Sequence, residues 1–303
     1  MKTLFKHLCL ATGLFLGASS SLWAQNALST SVQQAFQQEE VVLMALVDSF
    51  RNSPIPDERL GFGMTFIKKL KAVIEMDNSY AYKFDSLKTK MHIIVAPDNS
   101  FRIFNWLISP SAYTKNYFGA IQLAGESKVI PLLDYSDQLQ DQNREQEVVG
   151  NQQWYGCEYY NILQDEVQGQ PIYLLFGYNS NSTNINRKLV DVLRFDNGKP
   201  VFGAPIFEAP NHLGQVVNMN RFIQSYKKNV TTSLNYDAKI KMIVFNRLES
   251  DISTPSRKDT YVPAGPIDGL QKNGYKWVYA PEIFQILKLK DGEAPIDGVL
   301  NNR

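Results

Sequence analysis

Apolar residues recur at helical spacing in two stretches near the start of the chain. Between Ser31 and Phe50 they fall at Val32, Ala35, Phe36, Leu43, Leu46, Val47 and Phe50, the three-and-four spacing that lines one face of an α-helix. Ser29, Thr30 or Ser31 can cap its start by accepting a free backbone N–H, and Pro54 and Pro56 close it. A second stripe, from Asp57 to Met76, runs through Leu60, Met64, Ile67, Leu70, Val73 and Ile74, with Lys68, Lys69 and Lys71 toward the other side and Asp77-Asn78-Ser79 at the end. The short link between the two predicts an antiparallel helix pair. A weaker helical pattern covers Tyr82 to Lys90.

From Met91 onward the period shortens to two and tight-turn residues punctuate the chain. Pro97-Asp98-Asn99-Ser100 separates His92–Ala96 from Phe101–Ile108, and Gln168-Gly169-Gln170 separates Tyr159–Val167 from Ile172–Tyr178. Asp196-Asn197-Gly198 separates Leu189–Phe195 from Val201–Phe207, a hairpin signature because Asn and Gly accept positive φ. Further strands are expected at Phe222–Tyr226, Thr231–Tyr236 and Lys239–Phe245, the last two joined at Asp237-Ala238, and at Tyr275–Tyr279 after Lys272-Asn273-Gly274. Ile172, Leu174, Phe176 and Tyr178 share one strand face, as do Ile240, Met242 and Val244. No helical pattern intervenes, so the strands are expected to pair antiparallel and not as βαβ units. The polar run Asp134–Glu147 reads as a solvated loop or short helix, and no repeat of 30–50 residues supports a propeller. The fold expected is α+β and mostly β: a helical segment over 25–90 packed on a large antiparallel β-meander over 91–303, as one globular unit.

The first 24 residues follow a different logic. Lys2 and Lys6 precede an apolar run from Leu8 to Leu16, and Ser19, Ser20 and Ser21 lead to Ala24. This is the plan of a secretory signal peptide cut after Ala24, and the apolar run is too short to span a bilayer. Residues Lys6-His7-Leu8 do not resemble the approach to a lipidated cysteine at Cys9. The protein is therefore expected to be exported, periplasmic or secreted, with no transmembrane segment after cleavage. Removing Lys2 and Lys6 turns the formal charge from +1 to −1 and leaves Cys157 as the sole thiol, so no intramolecular disulfide is expected. With 31 basic and 30 acidic side chains there is no basic excess to neutralise phosphates, which argues against a nucleic-acid partner.

Candidate chemistry is sparse. Beyond the leader the histidines are His92 and His212 alone, and no metal-ligand spacing, Gly-x-Ser-x-Gly elbow or phosphate loop occurs, so no cofactor, metal or catalytic residue is assigned. Cys157 reads as a buried apolar residue rather than a nucleophile. Paired carboxylates remain as an enzymatic route, with Asp165-Glu166 and Glu249–Asp251 available. Aromatics cluster at Trp154, Tyr155, Tyr159 and Tyr160, at Tyr173 and Tyr178, and at Tyr275, Trp277 and Tyr279. Such side chains stack on sugars or anchor interfaces when exposed, and fill a sheet when buried.

Several stretches together resemble a family of uncharacterised secreted bacterial β-rich proteins. Pro97–Trp106 is similar to a PDG-x-FRIY-x-W hairpin, Tyr173–Tyr178 to a YYLLGW strand, and Lys241–Leu248 to an x-MIVFDHL strand. Arg187–Phe195 and Pro200–Phe207 look like the continuation between them, and Tyr261-Val262-Pro263 and Trp277 follow. The chain departs from the pattern at Asn246-Arg247 and over Pro263–Asp268. The resemblance implies secretion and a β-rich fold and lends no activity. Polar and aromatic members of these stretches, Arg102, Trp106, Asn246, Asp268 and Trp277, are the candidate binding residues, expected to converge if the sheet curls. The leading expectation is a non-catalytic binding or envelope-associated protein using an aromatic-rich sheet surface, with a glycan or envelope protein as partner. The alternative is a secreted glycosidase-like hydrolase using paired carboxylates.

Overall fold

The computed structural model describes residues 28–111, 114–138, 144–211 and 214–284. The leader and His212 lie outside them. Helix α1 spans Thr30–Asn52, its first turn capped by Ser29, whose Oγ accepts the Val32 N–H. Helix α2 spans Pro56–Ile74, with Pro56 in its first turn, where a missing N–H costs nothing, and Asp57 and Glu58 against the positive end of the helix dipole.

The strands are antiparallel with one exception, and they form three sheets. The first is a meander of β1 (His92–Val95), β2 (Phe101–Ile108), β3 (Asn116–Leu123) and β4 (Val129–Leu133). The middle sheet has the order β5-β9-β8-β7-β6, from β5 (Val149–Gly150), β6 (Glu158–Val167), β7 (Gln170–Asn179), β8 (Ile185–Asp196) and β9 (Lys199–Phe202). β10 (Phe207–Pro210) and β11 (Val216–Met219) begin the third sheet, and β12 (Phe222–Lys227) returns to pair with β8. β13 (Leu234–Asp237), β14 (Met242–Ser250), β15 (Tyr261–Asn273) and β16 (Lys276–Phe284) complete the third sheet, where β10 and β16 pair in parallel.

Helices and sheets stack as four layers with a core in each gap. Phe36, Phe50, Phe66, Phe84, Phe104 and Trp106 fill the gap between the helices and the first sheet. Phe101, Ile103, Trp154, Tyr159, Leu175 and Leu189 fill the next, and Leu174, Phe176, Val190, Phe207, Phe245 and Trp277 the last. Strand alternation explains how one strand serves two cores. Phe104 and Trp106 of β2 face the helices while Phe101 and Ile103 face the middle sheet; in β7, Leu174 and Phe176 face one way and Tyr173 and Leu175 the other.

Four local expectations are corrected. On α2, Leu60 and Met64 are exposed, and the packed face is Gly63, Phe66, Leu70, Val73 and Ile74. A Cβ at residue 63 would lie 2.1 Å from Ile108 Cδ1, so glycine there sets how closely the helix meets β2. Tyr82–Lys90 is no helix: Phe84 has a φ of 54° between two 3-10 turns, and the buried Glu40 of α1 accepts the Tyr82 hydroxyl at 2.6 Å and the Leu87 N–H at 2.7 Å. The β13–β14 turn spans four residues, because the pairing begins at Asp237 with Met242. Within the run 134–147 Asp134 is fixed and not merely solvated: Oδ2 accepts the Tyr117 N–H at 3.2 Å and Oδ1 the Ser136 N–H at 2.9 Å.

Gly156 lies against that carboxylate, and an added Cβ would fall 2.1 Å from Asp134 Cγ. Gly156→Ala is therefore expected to destabilise the protein by about 1–3 kcal/mol, read as a lower urea midpoint at unchanged slope. An unchanged midpoint would show that Asp134 gives way freely.

Candidate functional site

The five residues singled out in the sequence do not meet. Arg102 is buried on β2, donating to Gln122 Oε1 at 2.8 Å and to the carbonyls of Tyr82 and Ser79 at 2.6 and 2.7 Å, beside the rings of Phe84 and Phe104. It ties the segment after α2 to the first sheet. Trp106 packs edge-on to Phe66 and stacks on Phe118 in the helix-side core. Asn246, Asp268 and Trp277 belong to the third sheet, two layers away. There Asp268 takes both Nε and Nη2 of Arg247, the Tyr279 hydroxyl and the Glu282 N–H, while Trp277 donates to Asp165 at 2.9 Å. Those partners hold Asp268 ionised, below the ordinary carboxylate range despite burial.

Most of the clustered aromatics are core as well: Trp154, Tyr155 and Tyr159 are fully buried, and Trp277 and Tyr173 nearly so. Cys157 is buried among them, with its thiol pushed well up by desolvation and by Asp191, so it is no thiolate nucleophile. Of the acidic candidates, Asp165 pairs with Lys272 and Asp251 with Lys227. Among the described residues no group of three or more His, Cys, Asp or Glu is placed to hold a metal, and no helix is long and apolar enough to cross a membrane.

The residues that do converge come from strand register. Glu158 of β6 pairs with Tyr178 of β7, Tyr178 with Lys188 of β8, and Lys188 with Gln224 of β12. This gives one row straight across four strands, all on the face that holds Phe176 and Val190 of the third core. Two residues along, on the same face, Asn186 pairs with Tyr226. A bulge between Tyr159 and Asn161 sets Tyr160 beside the row, its hydroxyl donating to the Leu234 carbonyl at 2.5 Å. The row lies past the area that the third sheet covers, and Val230, Thr231 and Thr232 wall it in.

The result is a cleft of about 340 Å³, lined by His92, Glu158, Tyr160, Tyr178, Lys188 and Tyr226 together with Asn186 and Val230–Thr232. That is the size and mixed character of a small-ligand site. Its charged groups are perturbed by burial: the Glu158 carboxyl is pushed above its usual range, opposed by Arg51 and Lys115, and the Lys188 ammonium is pulled below its own. Desolvation and Arg51 lower His92, and burial raises Tyr160, Tyr178 and Tyr226, which stay protonated. Asn186 donates to the Lys228 carbonyl at 2.8 Å, but its buried Oδ1 has no partner among the described residues.

Asn246 contributes from behind the wall. Its Oδ1 accepts the Thr232 hydroxyl and the Ser233 N–H and hydroxyl, and its carbonyl accepts Gln224 Nε2 at 3.0 Å. A second cleft, of about 330 Å³, is lined by Tyr117, Asp134, Tyr135 and Asp137. Both of its carboxylates are engaged, Asp134 by backbone N–H groups and Asp137 by the Asn181 amide.

No protein-family model, curated protein or solved structure matches the chain.

Proposed function

We propose that this is an exported, non-catalytic binding protein of the cell envelope that captures a ligand, a glycan by preference, in the cleft formed by Tyr160, Tyr178 and Tyr226. The observation that carries the reading is the half-open tyrosine-lined floor above the cross-strand row. Tyr160 and Tyr178 are half-buried there and offer flat apolar faces to sugar C–H groups, the Tyr160 hydroxyl keeping a polar partner, while Tyr226, 2% exposed, backs the floor. The leader-like first 24 residues and the likeness to secreted bacterial proteins support export. A paired-carboxylate hydrolase ranks second, because Glu158 is the one carboxylate among the described residues that lines this cleft and that chemistry needs two.

Titration calorimetry of the protein against a panel of oligosaccharides tests this. Tyr178→Ala removes the central ring of the row and is expected to weaken binding roughly 30-fold, the effect of a hot-spot anchor of about 2 kcal/mol. Saccharide binding that Tyr178→Ala leaves untouched would place the site elsewhere. Polysaccharide turnover without binding to the panel would favour the hydrolase.

A further inference from the structure

Several half-buried lysines face carboxylates: Lys90 with Asp48 and Lys276 with Glu208 at 2.8 Å, and Lys69 with Glu39. Lys188 faces none among the described residues, and its ammonium instead lies 5.3 Å from the centre of the Tyr160 ring. Close by, Lys228 donates to the carbonyls of Ser180 and Ser182 and not to a carboxylate. Arg51 and Lys115 both act on Glu158, the one carboxylate among the described residues that lines the cleft. Lys188 is thus the cation of the cleft lining that has no carboxylate against it among the described residues.

A desolvated cation with no partner is unfavourable, and an anion entering the cleft relieves it. Asn186 adds a second requirement: a buried acceptor oxygen without a partner calls for an incoming O–H or N–H. The tyrosine rings add a third, a flat face of C–H groups. Inorganic sulfate meets only the first requirement and a neutral sugar only the last two.

We propose that the cleft selects an acidic saccharide, its sugar ring on Tyr160 and Tyr178, one hydroxyl donating to Asn186 Oδ1, and its anionic group on Lys188. This rests on the binding reading above and adds the charge of the ligand. A pH dependence follows. The Glu158 carboxyl, held above its ordinary range by burial, takes up its proton earlier than a free carboxylate as pH falls, which removes the negative charge from the cleft lining. A sugar carboxylate of pKa about 3.5 keeps its charge until lower pH. Affinity for the acidic sugar should therefore rise as pH falls through the Glu158 titration.

The test is calorimetry with three probes: a trisaccharide of uronic acids, a neutral trisaccharide of the same linkage, and sodium sulfate. The uronic acid is expected to bind roughly tenfold or more tighter than the neutral sugar, the worth of one charge-assisted hydrogen bond, with the gap narrowing as salt rises. Lys188→Gln should erase the gap and Lys188→Arg should keep most of it, which separates charge from folding damage. Equal affinities, both lost in Tyr178→Ala, would overturn the acidic preference and leave the cleft reading standing. Sulfate competing as well as the uronic acid would also overturn the proposal. If none of the sugars binds, both readings fall.

Discussion

Arg221→Met is expected to lower stability by about 3–5 kcal/mol, because it leaves a carboxylate stranded in the protein interior. Arg221 and Asp191 are both fully buried, their Nε and Oδ1 2.8 Å apart. Asp191 also accepts the Tyr159 hydroxyl at 3.2 Å and the Val192 N–H at 3.0 Å. Burial pushes the Asp191 carboxyl up, and the guanidinium is what keeps it charged. Without Arg221 the folded-state value of Asp191 rises further above its unfolded one. The variant then keeps most stability below pH about 4 and loses it as pH rises through the shifted value. Urea unfolding at several pH values checks both magnitude and sign. The double variant Asp191→Leu with Arg221→Met should recover most of the loss, since an apolar pair of similar volume replaces a buried ion pair without leaving a lone charge. A double variant as weak as the single one would mean that the pair specifies the packing around Tyr155 and Trp154.

Trp106→Ala is expected to cost about 3–5 kcal/mol through the cavity it opens. The ring is 3% exposed and lies between Phe66 at 5.2 Å and Phe118 at 5.8 Å, centre to centre. Its Nε1 has no hydrogen-bond partner among the described residues, so Trp106→Phe removes an unsatisfied donor along with some volume and should be much milder. Saccharide affinity of the Trp106→Phe protein should match the parent, because the ring faces the helices and the tyrosine cleft lies in another layer. A large loss of affinity there would return Trp106 to the binding site.

How much the sequence disclosed differs from element to element. The helices and hairpins were legible because each is set by neighbours in the chain: the cap at Ser29, Pro56 in the first turn of α2, and Asn99 and Asn197 at positive φ in their turns. The number of sheets was not. Six of the eight residues of Phe101–Ile108 are apolar, and such a run reads the same whether it is covered once or on both sides. Its double burial depends on the middle sheet, which is distant in sequence. The aromatic residues misled for a related reason. Trp154 and Tyr159 satisfy each other, the indole N–H donating to the phenol oxygen at 2.8 Å, and such a pair can be hidden or displayed with the same residues.

The cleft was hidden by one residue of register. The tight turn pairs Val167 with Gln170, and counting back from it would set Tyr178 opposite Tyr159. The bulge beyond Tyr159 shifts the pairing so that Tyr178 meets Glu158, on the face that also carries Lys188. Nothing in Tyr159-Tyr160-Asn161 announces a bulge. Asn246, a candidate as a polar member of the family-like stretches, supports the wall of this cleft without lining it.

The path of β12 has a consequence for how the molecule is made. Residues 222–227 dock onto β8, yet they leave the ribosome after β10 and β11, which belong to the outermost layer. The sheet at the centre therefore stays unfinished until part of its neighbour has been synthesised, and β10 must then wait for residues 277 and 278 to gain its parallel partner. Such long-range closures slow folding. The gap between the middle and third sheets closes last, and the nascent chain holds one face of β7 and β8 open to solvent until it does.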